Sequence, residues 1–136
     1  MLCTPVAAVS AETRAGTDSR SIARMAAALY LQGRVVEAAE LYERIVSAAV
    51  ALNPRVEDIL CNVVRRVLKR RYDIELEKCD LLGLRRALRE VVEARVSEES
   101  RGRNLTPAEA SRLVERRVAE IICDVGFTVS RLLGLV

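Results

Sequence analysis

The sequence has no histidine and no tryptophan, and aromatic residues make up only 3% of it. Without histidine the chain has no imidazole base, no Ser-His or Cys-His nucleophile pair and no histidine metal ligand. Three tyrosines and one phenylalanine are too few for a platform that stacks single-stranded bases. A Gly-rich phosphate loop is also missing. We therefore expect a non-enzymatic protein with no catalytic residues, no metal site and no cofactor.

Cysteines are few and widely spaced. Cys3, Cys61, Cys79 and Cys123 form no C-x-x-C pair, so zinc-ligand spacing is absent. We expect buried thiols that act as small hydrophobic residues, with a disulfide as the alternative. No segment approaches the roughly 20 apolar residues that span a bilayer, and residues 1–11 lack the charged region of a secretory signal. The expectation is an intracellular chain without a membrane span.

Arginine is the residue that dominates the charged composition. The chain carries 20 Arg and 2 Lys against 19 acidic residues, for a net charge of +3. At 136 residues, 51% of them hydrophobic, it can bury the core of one domain. Few amides beside many charged side chains indicate a thermophilic source, and a GC-rich gene is the alternative origin of the same bias.

Apolar residues recur at helical spacing along most of the chain. The pattern predicts helices over residues 18–32, 35–52, 54–71, 80–99 and 106–125, and a short one over 127–133. Thr106 to Glu109 form a capping box with proline at the first helical position. Residues 72–79 are interpreted as a loop or an extra helical turn. The predicted fold is an all-α, five- or six-helix bundle: an extended N-terminal arm (1–17) before a single helical domain (18–136).

The first two predicted helices resemble one tetratricopeptide repeat. Within residues 22–54, the matching positions are Leu29, Gly33, Glu37, Ala38 and Tyr42. Arrays of this kind need about three repeats, and no second copy is visible. The segment is interpreted as a tight helical hairpin, with a true repeat as the alternative.

Basic residues cluster on the polar sides of the third, fourth and fifth predicted helices. Residues 65–117 hold 15 basic and 10 acidic groups, whereas the flanking parts are each close to neutral. Arginine binds phosphate bidentately, and successive helical turns can follow a phosphate backbone without reading bases. Pairing with neighbouring glutamates on the surface is the alternative for each arginine. The candidate residues for nucleic-acid binding are Arg65, Arg66, Lys69, Arg70, Arg71, Arg85, Arg86, Arg89, Arg112, Arg116 and Arg117.

The whole chain also resembles the small α-helical coat proteins of filamentous and rod-shaped archaeal viruses. The resemblance lies in size, in an arm before a helix bundle, in Arg-rich helices and in thermophile-like composition. It implies dimerisation with itself or a homologous coat subunit, and wrapping of double-stranded DNA in A-form within a filament of the virion. The leading hypothesis is therefore a structural nucleoprotein that binds the DNA backbone without sequence specificity. The alternatives are a cytoplasmic all-α protein–protein adaptor and a sequence-specific duplex-binding regulator, although no convincing helix-turn-helix is present.

Overall fold

The structure of the chain is a computed structural model that describes the backbone of residues 11–136 and the side chains of residues 19–136. Five α-helices follow one another, and residues 11–136 contain no strand. The helices are α1 (Ala11–Leu31), α2 (Val35–Leu52), α3 (Val56–Tyr72), α4 (Leu84–Glu99) and α5 (Pro107–Leu132), with one 3-10 turn at Ser100–Gly102. The predicted all-α bundle is confirmed.

Helix α1 begins at Ala11, earlier than the predicted start at residue 18. Residues 11–17 are therefore helical where an extended arm was predicted, and residues 1–10 of that arm lie outside the described residues. The reason is composition, because Ala, Glu and Arg are strong helix formers. A single glycine inside the helix, Gly16, costs only about 1 kcal/mol relative to alanine.

Helix α5 is the central element of the bundle and packs against each of the other four helices. Its 26 residues begin at the predicted capping box, where the Thr106 hydroxyl accepts a hydrogen bond from the Glu109 amide at 3.1 Å. Val118, Ile122 and Val129 are among its buried side chains. None of the helices within residues 11–136 is long and apolar enough to cross a membrane.

Gly126 lies inside α5, although the sequence predicts that this helix ends at residue 125, and it allows α5 to approach α2 closely. A Cβ atom placed on Gly126 would lie only 2.3 Å from the Cβ of Tyr42. The segment predicted as a separate short helix, residues 127–133, therefore continues α5 as far as Leu132. The bundle accordingly has five α-helices in its described part, not six.

The segment between α3 and α4 is a loop, residues 73–83, that is fixed at several points. Ile74 and Leu81 are buried, and Cys79 forms a disulfide with Cys61 of α3. The expectation of buried free thiols is therefore wrong for this pair, because the fold brings their Cα atoms to 5.8 Å, within disulfide range. Cys123 is the buried free thiol that was expected, and Cys3 lies outside the described residues.

The end of α3 is held by a backbone motif and by an arginine of α4. Asp73 adopts a left-handed conformation (φ +52°) and its amide donates to the Lys69 carbonyl at 3.2 Å, which is the αL cap motif, and the Ile74 amide donates to the Leu68 carbonyl at 3.0 Å. The Arg95 guanidinium donates to the carbonyl oxygens of Tyr72 and Asp73, each at 2.6 Å. A cation at a helix C-terminus is favourable because it faces the negative end of the helix dipole. These contacts fix the end of the most basic helix relative to α4.

Candidate nucleic-acid interface

The α3 basic face consists of Arg65, Arg66, Lys69 and Arg70, and all four residues are exposed. They lie on the side of the helix opposite its buried residues, which include Leu60, Val64 and Leu68. The helical period produces this separation, since residues three and four apart share one side of a helix. The amphipathic geometry predicted for this segment is thus present.

One apolar side chain of α3 is exposed. Ile59 is 65% exposed, although the helical spacing of the apolar residues over 54–71 predicts that it faces the core. It precedes Arg66 by two helical turns and so lies on the side of the α3 basic face. The buried stripe of α3 is therefore narrower than the pattern indicated, and an apolar side chain remains beside the arginines.

More than half of the predicted DNA-binding residues form ion pairs with acidic side chains. Two pairs join residues one turn apart on the same helix, Arg89 with Glu93 and Arg116 with Glu120. Pairing with a neighbouring glutamate is the alternative to phosphate binding that the sequence leaves open for each arginine. The others are Lys69 with Glu75, Arg71 with Asp124, Arg85 with Glu43, and Arg117 with Glu99.

Arg71 and Arg85 connect helices to one another. Arg71 and the Tyr72 hydroxyl both donate to the Asp124 carboxylate, which ties the end of α3 to α5. Arg85 donates to both carboxylate oxygens of Glu43 and ties α4 to α2. The carboxylates hold the pKa of both guanidinium groups above its ordinary value, through the hydrogen bonds first. Both arginines therefore have a structural explanation that needs no nucleic acid.

Five of the predicted residues have no ion-pair partner among residues 19–136. They are Arg65, Arg66, Arg70, Arg86 and Arg112. Three of the five belong to the α3 basic face, so that face retains most of its charge for a ligand. Uncompensated guanidinium groups keep their donors available for phosphate oxygens.

Four of the predicted arginines of α4 and α5 line two separate depressions. Arg86 and Arg89 line a wide groove together with residues 75–78, Asp80 and Glu90. Arg112 and Arg116 line another depression with Glu37 and other residues at the start of α2. Each depression mixes both signs of charge, so the structure favours the α3 basic face over a surface shared by three helices.

The 73–83 loop borders the α3 basic face on one side. The Arg65 guanidinium donates to the backbone carbonyl of Glu77 at 3.5 Å, and Lys69 forms an ion pair with Glu75. That pairing raises the pKa of Lys69 and lowers the pKa of Glu75, in both cases through their hydrogen bond first. The acidic loop therefore limits the face toward Lys69 and leaves Arg66 and Arg70 as its open part.

No protein family, curated protein or solved structure matches the chain.

Sequence reasoning missed a second surface feature, a cavity that collects the aromatic residues of the chain. These residues come from α1, α2, α3 and α5 and are separated by up to about 100 positions, so no local motif could have identified them. The only signal in the sequence was the scarcity of aromatic residues, which makes their convergence informative.

Proposed function

We propose that the protein is a non-enzymatic subunit that binds the phosphate backbone of double-stranded DNA through its α3 basic face. The observation that carries this proposal is that Arg65, Arg66 and Arg70 project from one exposed side of α3 without an acidic partner among the described residues. Arg66 and Arg70 are one helical turn apart, roughly 6 Å along the axis. Guanidinium groups spaced in this way contact successive phosphates without reading bases.

Salt dependence of binding tests the proposal because each neutralised phosphate releases counterions. With three phosphate contacts, log K should fall with log salt concentration at a slope of about −2.7. The assay is fluorescence anisotropy of a labelled 30-base-pair duplex, measured between 20 and 200 mM KCl (about the range over which such binding weakens). A second duplex of unrelated sequence should bind equally well.

Two triple variants with the same net charge distinguish the effect of the α3 basic face on DNA binding from the effect of net charge. Arg65→Ala/Arg66→Ala/Arg70→Ala removes the three unpaired arginines of α3. Arg20→Ala/Arg24→Ala/Arg44→Ala removes three exposed arginines of α1 and α2. In the first variant, each lost hydrogen bond between an arginine and a phosphate should weaken DNA binding roughly tenfold. The second variant should bind DNA as tightly as the unaltered protein. Equal losses in both variants, or no binding by the unaltered protein at low salt, would refute the proposed interface.

Assembly into a coat filament is the more specific form of this proposal. It is supported by large apolar side chains that lie exposed on the surface, which subunit contacts would bury. Leu31, Leu52, Ile59 and Leu82 are each more than 60% exposed. Negative-stain microscopy of the protein mixed with linear double-stranded DNA should then reveal filaments of uniform width. Isolated particles with bound DNA would support the DNA-binding function and contradict the coat function.

A protein–protein adaptor is the second candidate, and the α1–α2 hairpin favours it. Gly33 (φ +82°) forms the tight turn, and the apolar residues Met25 and Leu31 of α1 are exposed. An adaptor accounts for these residues without nucleic acid. Absence of DNA binding at low salt together with a monomeric state in light scattering would favour the adaptor over the nucleoprotein.

A further inference from the structure

A cavity of about 430 Å³ opens between α1, α2, α3 and α5. All four aromatic residues of the chain line it: Tyr30, Tyr42, Tyr72 and Phe127. We call it the aromatic cavity. Its volume lies within the range of pockets that hold small molecules, which are also lined mainly by apolar and aromatic side chains with a few polar groups.

The hydroxyl of Tyr42 is an available hydrogen-bonding group inside the aromatic cavity. Tyr42 is only 2% exposed, and its hydroxyl has no hydrogen-bond partner among the described residues. Every fully buried polar side-chain atom in the described part has a hydrogen-bond partner. The Tyr42 oxygen has none, so it is not fully buried. Burial raises the pKa of Tyr42 to about 12, with smaller contributions from Cys123 and Tyr30, which both line the cavity. Since Tyr42 and these two neighbours line the cavity together, the hydroxyl is placed where it can bond a ligand there.

Among residues 19–136, the charged groups of the cavity wall are both acidic. Glu120 and Asp124 line the cavity, and no lysine or arginine of this part of the chain does. Asp124 accepts the Tyr72 hydroxyl at 2.8 Å and pairs with Arg71, and Glu120 accepts Arg116 at 3.1 Å. A carboxylate has about four acceptor sites, so each keeps capacity for a further donor. A ligand with positive charge complements this wall.

The aromatic rings favour the same sign of charge. The face of an aromatic ring is electronegative and attracts cations within about 6 Å. Phe127 already shows this preference, because the Arg131 guanidinium lies 6.0 Å from its ring centroid. Aromatic walls with adjacent carboxylates are the combination that recognises substituted ammonium groups.

We propose that the aromatic cavity binds an organic ammonium ion with an apolar body. The charged nitrogen lies between the aromatic faces and the carboxylates of Glu120 and Asp124, and the body fills the space beside Ala27 and Leu31. Tyr42 supplies a hydrogen bond to a polar atom of the ligand. This site is separate from the α3 basic face, which attracts the opposite charge.

Tyrosine fluorescence offers a direct assay, since the chain lacks tryptophan and all three tyrosines line the cavity. Benzyltrimethylammonium is the probe, and 3-phenylpropionate is an anion with a similar apolar body. Titration with the ammonium should change the tyrosine emission saturably, with a Kd on the order of 1 mM, as expected for a ligand of this size. The anion should bind at least about tenfold more weakly, because it meets two carboxylates.

Two matched variants of α5 test whether the carboxylates of the cavity wall bind the ammonium group. Glu120→Gln removes a carboxylate of the cavity at constant shape, and Glu115→Gln removes an exposed one that lies outside it. The first should weaken ammonium binding about tenfold, and the second should leave it unchanged. Tyr42→Phe should weaken the binding of a 3-hydroxylated analogue of the probe by several fold, because it removes the hydroxyl that bonds the polar atom of that ligand.

Far-UV circular dichroism confirms that each variant remains folded, so that lost binding is not confused with lost structure. Equal binding of ammonium and carboxylate probes would overturn the proposal, and so would equal effects of the two glutamine substitutions. Absence of any saturable change with the ammonium, in protein shown to be folded, would overturn it as well.

Discussion

Replacing Gly126 by alanine tests the closest helix contact in the bundle. The added Cβ would lie 2.3 Å from the Cβ of Tyr42 and 2.5 Å from its Cγ, whereas ordinary contact begins at 3.4 Å. Helices α2 and α5 must therefore move apart by about 1 Å, since 3.4 Å exceeds 2.3 Å by that amount. Rotation of the tyrosine cannot relieve the contact, because its Cβ is bonded directly to the backbone. The substitution forces the helices themselves to shift.

Two opposing effects set the magnitude for Gly126→Ala. Alanine in a helix interior is better than glycine by about 1 kcal/mol. Overpacking of a filled core costs about 3 kcal/mol when backbone must move. The net loss is about 2 kcal/mol, which lowers the Tm of a domain of this size by about 6 °C. Packing therefore outweighs helix propensity at this position.

Thermal unfolding followed by circular dichroism measures this effect. Gly102→Ala is the control, because a Cβ at Gly102 meets no atom within 4 Å, and its Tm should change by no more than about 1–2 °C. Tyr42→Phe retains the Cβ and Cγ that clash, so Gly126→Ala should cost the same in that background. An unchanged or raised Tm for Gly126→Ala would show that α2 and α5 are not in close contact here.

Three further predictions concern other contacts of the bundle. Reduction of the Cys61–Cys79 disulfide, which spans 18 positions, should lower the free energy of unfolding by about 3 kcal/mol, as measured by urea denaturation with and without dithiothreitol. Thr106→Ala removes the N-cap of α5 and should cost about 1 kcal/mol in the same assay, whereas Thr106→Ser should cost little. Alkaline pH should destabilise the fold, because burial raises the pKa of Tyr42 from 10.0 and of Cys123 from 9.0, each to about 12. The folded state keeps these protons when the unfolded state has lost them, so stability is complete below pH 9 and falls as the pH rises to 12. A flat urea midpoint between pH 8.5 and 11 (roughly the range in which the unfolded groups ionise) would contradict this assignment.

Helices with strong apolar periodicity could be predicted from the sequence, and their ends less well. Helix α5 begins where its capping box indicates, because the cap acts through neighbouring residues. Its far end could not be predicted, because Gly126 reads locally as a helix stop. The residue is there to accommodate Tyr42 of another helix, and no local pattern contains that contact.

The ion pairs of the candidate interface also divide into local pairs, which could be predicted from the sequence, and tertiary pairs, which could not. The pairs of Arg89 with Glu93 and Arg116 with Glu120 have the i, i+4 spacing of helix neighbours and can be recognised in the sequence. The pair of Arg71 with Asp124 joins residues 53 positions apart and depends on how α3 packs on α5. Tertiary ion pairs therefore engage several of the predicted DNA-binding residues, and the sequence could not show which ones.

The run of basic residues that ends α3 serves two different surfaces because adjacent residues in a helix are turned by about 100°. Arg70 belongs to the α3 basic face, whereas Arg71 pairs with Asp124, a residue of the aromatic cavity wall. The next residue, Tyr72, lines the cavity itself. Residues 70–72 thus connect the α3 basic face, proposed to bind phosphate, with the aromatic cavity, proposed to bind a cation. Because the two proposed sites should attract ligands of opposite charge, a phosphate ligand should not compete for the aromatic cavity, and binding at each site can be measured without interference from the other.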